Sequence, residues 1–291
     1  MAPHRASERR LRLKRLLYNL RRSPTTIAGL AIVLAFASMA AFGEYIAPYP
    51  EDAYTIHIEE KFQPPSWEHP FGTDAVGRDI LSRVILATRI SLGIALGVVA
   101  LAILVGFPLG LVAGYLGGAF SSVVMRLTDI FLSIPSVVLA LAIAAMLEPT
   151  LENAMLALVV GWWPWYSRLG YSMAVTLKNE DYVLAAKSYG AGVYHIVFRE
   201  IMPNTLPVLA VKASLDVGYA ILAEALLGFL GFGIKPPTPE WGTMLSEARI
   251  YLPDIWWYAT FPGLAIFFAV MGFNLLGDGL RDLLGVEEEV R

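Results

Sequence analysis

Ionisable residues interrupt otherwise apolar stretches at Arg126, Asp129, Arg168, Lys212, Asp216 and Glu224. Charge in hydrocarbon is costly, so such residues must face protein or a water-filled path. Lys212 and Asp216 stand four apart and share one face of a helix. The chemistry open to this set is binding and conduction, not bond breaking. Asp216, Glu224, Lys212 and Arg168 are candidates to line a polar path for a zwitterionic solute. The competing reading is pairing within or between subunits. For Asp216 and Glu224 both readings stand. For Arg126, Asp129 and Arg168 pairing is favoured, with Arg126 and Asp129 three apart, because long side chains near span ends reach the interface.

Catalytic constellations are missing. Gly228 to Lys235 is glycine-rich, but Lys235 is followed by proline instead of serine or threonine, and no strand precedes it. Gly170-Tyr171-Ser172-Met173-Ala174 is a near miss to a nucleophile elbow and lies in an apolar span. The chain has no cysteine, which excludes disulfides, thiolate catalysis and cysteine-ligated metals. His57, Glu59, Glu60 and His69 imitate a metal cluster, but a proline-rich loop lacks the spacing of a built site, so no metal is expected. A membrane enzyme would need a buried nucleophile with a base, and none stands out.

The elements that position these residues are membrane helices. Of 291 residues 56% are hydrophobic and 16% charged, against roughly a quarter charged in soluble domains. Apolar runs at Thr25–Phe42, Ile90–Ala113, Val123–Leu147, Ala154–Leu177, Pro207–Phe232 and Trp256–Leu276 are each long enough to cross about 30 Å of hydrocarbon. The expectation is an all-α integral membrane protein with six transmembrane helices over 25–284. Glycines 93, 97, 106, 110 and 114 stripe the second run, a packing pattern that lets another helix approach closely. Trp162, Trp163 and Trp165 read as an interfacial belt in preference to a pore rim.

Residues 1–24 are basic, with Leu11, Leu16, Leu17 and Leu20 spaced for an interfacial helix. Nucleic-acid binding is the weaker reading, because a span follows at once; a cytoplasmic anchor is expected, and no cleavable signal peptide. The loop 44–82 is acidic and proline-rich, expected outside and folded around Phe62, Trp67 and Phe71. From Phe71 to Leu96, Arg78, Arg83 and Arg89 sit among apolar residues and read as snorkelling from an amphipathic helix. An inside N-terminus and six spans put 179–204 inside, 233–254 outside and the acidic tail 285–291 inside.

The stretch 179–204 reads NEDYVLAAKSYGAGVYHIVFREIMPN. It predicts two short helices, the first capped by Asn179, joined where Gly190 and Gly192 make positive φ cheap. Val193, Ile196, Val197 and Ile201 recur at helical spacing, and Pro203 stops the second helix. Such a pair is too short to span a bilayer. It is suited to lie at the surface and plug into a partner's groove.

Ala185-Ala186, Gly190 and Met202-Pro203 resemble the coupling loop of ABC-importer permeases, with Leu184 in place of its usual glutamate and Glu200 where isoleucine is usual. His69 to Asp74, Gly77-Arg78-Asp79, Ser82-Arg83 and Arg89-Ile90-Ser91-Leu92 resemble the signature of dipeptide and oligopeptide permeases. Gly228–Arg249 and Trp256–Leu284 resemble the C-terminal signatures of the second membrane subunit of that family. The resemblance spans about residues 20–285. It implies the type I importer permease (MetI-like) fold, and a coupling loop carrying Tyr182, Ala185, Ala186, Gly190, Val193, Ile196, Ile201 and Pro203. It implies a heterodimer with a homologous permease, two cytoplasmic ATPase subunits and an extracytoplasmic solute-binding protein, all at a bacterial cytoplasmic membrane. The chain itself would hold no cofactor, ATP and Mg being bound by the ATPases. Peptide is the expected cargo; oligosaccharide and nickel are alternatives within the family. A passive channel or receptor would have no need of the coupling loop.

Overall fold

The structure, a computed structural model, describes residues 23–285. The basic segment with its proposed interfacial helix and the tail 286–291 lie outside the described residues. Every regular element described is helical. Helix α1 (Pro24–Ile46) starts at Ser23, whose hydroxyl accepts from the Thr26 amide, with Pro24 pre-set for the first turn. An irregular segment with one 3₁₀ turn (Ile58–Glu60) leads to α2 (Ile80–Leu116), capped by Asp79 through the Ser82 amide at 2.7 Å. Then come α3 (Gly118–Leu132), α4 (Ser136–Ala144) and α5 (Leu151–Leu177). Helix α6 (Asp181–Ser188) turns into α7 (Val193–Phe229), followed by α8 (Trp241–Ala248) and α9 (Trp256–Leu284).

Four helices, α1, α2, α7 and α9, are each long and apolar enough to cross a membrane, and α3 with α4, bent by 80° at their junction, is long and apolar enough only as a pair. The lengths therefore do not return six straight spans. The third expected run is broken at Ser133 to Pro135, where proline removes a helical donor and disfavours the α conformation in the residue before it. The 27 residues of α5 are long enough, at about 40 Å, but carry Glu152, Arg168 and the tryptophan cluster. The second run starts ten residues earlier than expected, because Asp79 caps it; its 37 residues extend about 55 Å, beyond any hydrocarbon layer.

Helix α2 is the central post. It packs along α5 on one side and against α7 on another, and α9 leans on both α1 and α7. The glycine stripe makes the α2–α5 seam. A Cβ at Gly106 would come within 2.2 Å of the Trp163 carbonyl, and one at Gly110 within 2.0 Å of the Ser167 carbonyl. From the other side a Cβ at Gly170 would press on the Phe107 carbonyl. Gly93, although in the stripe, faces open space. At the far end the buried Trp241 of α8 donates from its indole to the Val84 carbonyl at 3.1 Å and stands edge-on to Phe36, so it joins α1, α2 and α8.

The loop before α2 is folded, though not as expected. Phe71 stacks on Phe261 at 3.9 Å and Phe62 packs on Tyr251, but Trp67 stands fully in the open. Arg78 and Arg83 are buried, so they do not snorkel. Arg78 binds Asp74 at 2.6 Å and Glu247 of α8 at 3.2 Å; Arg83 binds the Ala53 carbonyl at 2.8 Å and reaches Glu247 at 3.5 Å. Burial works against the Arg78 charge, but Asp74 and Glu247 outweigh it and hold its pKa above the ordinary value. The Tyr258 hydroxyl donates to Glu247 at 3.1 Å, and His69 pairs with Asp79 at 2.9 Å. This network, with Arg89 left exposed, fastens the loop to α2, α8 and α9. No cluster of metal-ligating side chains forms among the described residues.

Candidate functional site

Two places carry the residues expected to act. The first is the hairpin after α5. Lys178, just past α5, reaches the Gly114 carbonyl at 3.4 Å and ties the ends of α5 and α2 together. Glu180, not Asn179, occupies the N-cap position of α6, and its side chain makes no capping bond. Gly190 holds φ +81° and closes the turn, while Gly192 is extended at φ −76°. The second helix does not stop at Pro203. After Val193–His195 the backbone passes through a π-helical turn, Ile196–Ile201, and runs on as α-helix to Phe229. Pro203 sits in the first turn after the π segment, where a missing N–H is tolerated.

The hairpin has two faces. Val183, Ile196, Val197 and Ile201 are buried, with the π turn lying against α2 and α5. Tyr182, Leu184, Ala185, Tyr189, Val193 and Tyr194 are exposed, Tyr189 at 92% and Tyr194 at 71%. Val193 thus leaves the inward set that its spacing suggested. The outward set is an apolar and aromatic patch on a unit whose backbone continues into α7.

The second place lies further along α7. Lys212 Nζ contacts both carboxylate oxygens of Asp216 at 2.7 and 2.9 Å, as the i,i+4 spacing predicts. The pair lines a cavity of about 450 Å³ together with Ser136 and Val137 of α4, Trp162 and Trp165 of α5, and Tyr219 of α7. Trp162 and Trp165 are therefore cavity walls in the middle of α5, the placement that the rim reading, the alternative to a belt, calls for. The Lys212 ammonium stands 6.0 Å from the Trp165 ring centre and 5.7 Å from that of Tyr166, within range of a cation–π contact. The Tyr166 hydroxyl is buried without a hydrogen-bond partner.

Arg168 lies one turn beyond Trp165 and pairs with Asp129 of α3; the expected Arg126–Asp129 pair does not form. Residues three apart on one helix lost to a partner on a packed neighbour. Both side chains of the Arg168–Asp129 pair are about half exposed. Counted from Gly118 of α3, from Leu177 of α5 and from Met202 just after the π turn of α7, Asp129, Arg168 and Lys212 all lie about 15 Å along their helices. Glu224 is not part of this belt. It is buried about two turns beyond Asp216 on α7, facing Glu240 and Ser91. Glu240 caps α8 through the Gly242 and Thr243 amides, and burial pushes its carboxyl pKa up. Sequence reasoning missed Glu240 and Glu247; neither lies in an apolar run, which was the signal used.

Comparison with known proteins bears on this arrangement. Residues 106–285 match the model of the binding-protein-dependent transport system inner membrane component, and residues 12–65 match that of the N-terminal TM domain of oligopeptide transport permease C. The chain is 45% identical over 270 residues to the probable D,D-dipeptide transport system permease protein DdpC of Escherichia coli K12, covering 93% of this chain and 90% of that protein. It is 44% identical over 264 residues to the dipeptide transport system permease protein DppC of Haemophilus influenzae, covering 89% of each. It is 38% identical over 268 residues to the glutathione transport system permease protein GsiD of Pectobacterium atrosepticum, covering 91% of this chain and 87% of that protein.

Proposed function

Since the chain belongs to the family of binding-protein-dependent transport system inner membrane components, and within it to the dipeptide/oligopeptide permease type, we propose that it forms half of the path by which an ATP-driven importer admits short peptides. It is a multi-pass transport subunit, not an enzyme. In the full importer it pairs with a homologous permease, receives cargo from an extracytoplasmic binding protein, and is driven by two cytoplasmic ATPase subunits that hold ATP and Mg. The N- and C-termini and the hairpin 179–204 face the cytoplasm of a bacterial inner membrane; the loops 44–82 and 233–254 face outward.

Mechanical continuity carries this reading. The exposed patch of α6 and the start of α7 sits on a hairpin whose inner face is packed against α2 and α5. The same chain continues without a loop through the π turn into the helix that bears Lys212 and Asp216. A push on the patch is thus a push on the cavity wall, which is what alternating access requires. Peptide as cargo is supported by the dipeptide-named relatives and by a cavity walled with aromatic rings around one ion pair.

Orientation is tested with single cysteines at Glu59 and Lys187, in a chain that has no other cysteine. An impermeant thiol reagent applied to intact cells should label position 59 and spare 187. The opposite pattern would invert the topology and remove the hairpin from the ATPases.

A further inference from the structure

The Lys212–Asp216 pair is closed on itself, yet it lies in the wall of a cavity of a size that takes small ligands. Its two members are not equally sunk. The Lys212 side chain is 34% exposed and Asp216 6%, so the ammonium leans into the cavity and the carboxylate backs it. Around them the walls are uncharged: Trp162, Trp165, Tyr219, Leu222 and Ala223. An ammonium has three donors, and Asp216 is the one carboxylate that reaches it among the described residues. An uncharged solute has nothing with which to compete for either member. A solute with one charge would take one member and strand the other in a poorly solvated site, a penalised arrangement. A zwitterion brings both charges, so the pair can open and each member finds a new partner.

We propose that Lys212 and Asp216 form an exchangeable ion pair that admits zwitterionic peptides: the cargo carboxylate takes Lys212, the cargo ammonium takes Asp216, and Trp165 covers the exchange. No covalent step is involved; the pair re-forms behind the departing peptide and returns the cavity to neutrality. The path thereby selects for free termini after the binding protein has made its own selection. The inference rests on the reading of the chain as the path-forming subunit. It adds to that reading a specificity-determining pair and the charge state of its substrate.

The test uses the complete importer in proteoliposomes with its binding protein, and three probes: alanyl-alanine, its C-terminal amide, and N-acetyl-alanyl-alanine. Uptake is expressed as the ratio of each blocked probe to the free dipeptide, so the binding protein's preference, common to wild type and variants, cancels. Lys212→Gln should cut uptake of the free dipeptide about tenfold, the scale of one lost charge-assisted contact, while its penalty against the amide shrinks. Asp216→Asn frees Lys212 from its internal partner, so the acetylated probe, which carries only a carboxylate, should gain relative to the free dipeptide. The exchange variant Lys212→Asp with Asp216→Lys restores a pair but reverses its poles, and should not restore uptake.

Full rescue by that exchange would show a structural pair and overturn the proposal. So would probe ratios unchanged in both single variants. Should Lys212→Gln fail to assemble, the acetylated-probe ratio in Asp216→Asn decides alone: a rise supports the exchange and an unchanged ratio ends it. Failure of the parent reading looks different. Proteoliposomes lacking this chain would still take up alanyl-alanine, and that result would refute the permease assignment whatever Lys212 does.

Discussion

Gly190→Val separates folding from coupling. Gly190 holds φ +81°, and a Cβ placed there would meet nothing within 4 Å. The substitution therefore creates no clash, and its cost is backbone conformation alone, about 1–3 kcal/mol for a β-branched residue in that region. That is a modest part of the 5–15 kcal/mol that typically holds a domain together, so the variant should insert, assemble and melt within a few degrees of wild type. The same energy shifts a two-state turn by about 5- to 150-fold, enough to leave most hairpins misplaced against the ATPases. Peptide uptake should fall by one to two orders of magnitude on the same scale. ATP hydrolysis should lose its stimulation by loaded binding protein. Gly190→Asn, which tolerates a left-handed backbone, should stay near wild type, and Gly190→Ala should fall between. Normal stimulated hydrolysis and uptake in the valine variant would refute the coupling role of this turn. An asparagine variant as damaged as valine would show that strain is not the cause.

Gly110→Ala should lower the melting temperature of the purified chain, by the roughly 1–3 kcal/mol of an overpacked seam or more, because its Cβ would press on the Ser167 backbone at 2.0 Å. Gly93→Ala, facing open space, should leave it unchanged. Glu240 supplies a pH dependence: burial raises its carboxyl pKa, so the folded state holds that proton more tightly than the unfolded chain. Its contribution is complete below the ordinary glutamate range and is lost as pH rises through the raised value. Thermal melts from about pH 4.5 to 8 should show this decline in wild type and a flatter profile in Glu240→Gln.

What was legible in the sequence was what short-range pattern encodes. The glycine stripe showed that another helix approaches α2 closely, though not that it is α5, and the four-residue spacing put Lys212 and Asp216 on one face while leaving pairing and path-lining both open. The hairpin was legible from its polar ends and Gly190. Its continuation was not, because no hydrophobic period distinguishes a π turn from an α turn, and Pro203 read as a stop when it sits just past that turn. The third span read as continuous because apolar residues run straight through Ser133 to Pro135. Arg83 was misread because its partner Glu247 lies 164 residues away, and a buried arginine looks in sequence like one that snorkels. Asp216 and Glu224 looked alike in one apolar helix. Eight residues turn a helix by about 80° beyond two full turns, so they face different neighbours.

The central claim is that the exposed hairpin patch meets the ATPases. The most direct measurement places single cysteines at Tyr189 and Tyr194, both exposed, in this cysteine-free chain. Tyr45, 88% exposed at the opposite end of α1, serves as the control position. A short thiol-to-amine cross-linker is applied to the transporting complex. Products between this chain and an ATPase subunit should form from 189 and 194, change in yield with ATP, and be absent from 45. Cross-linking from 45, or none from 189 and 194 in a complex that still transports, would contradict the account.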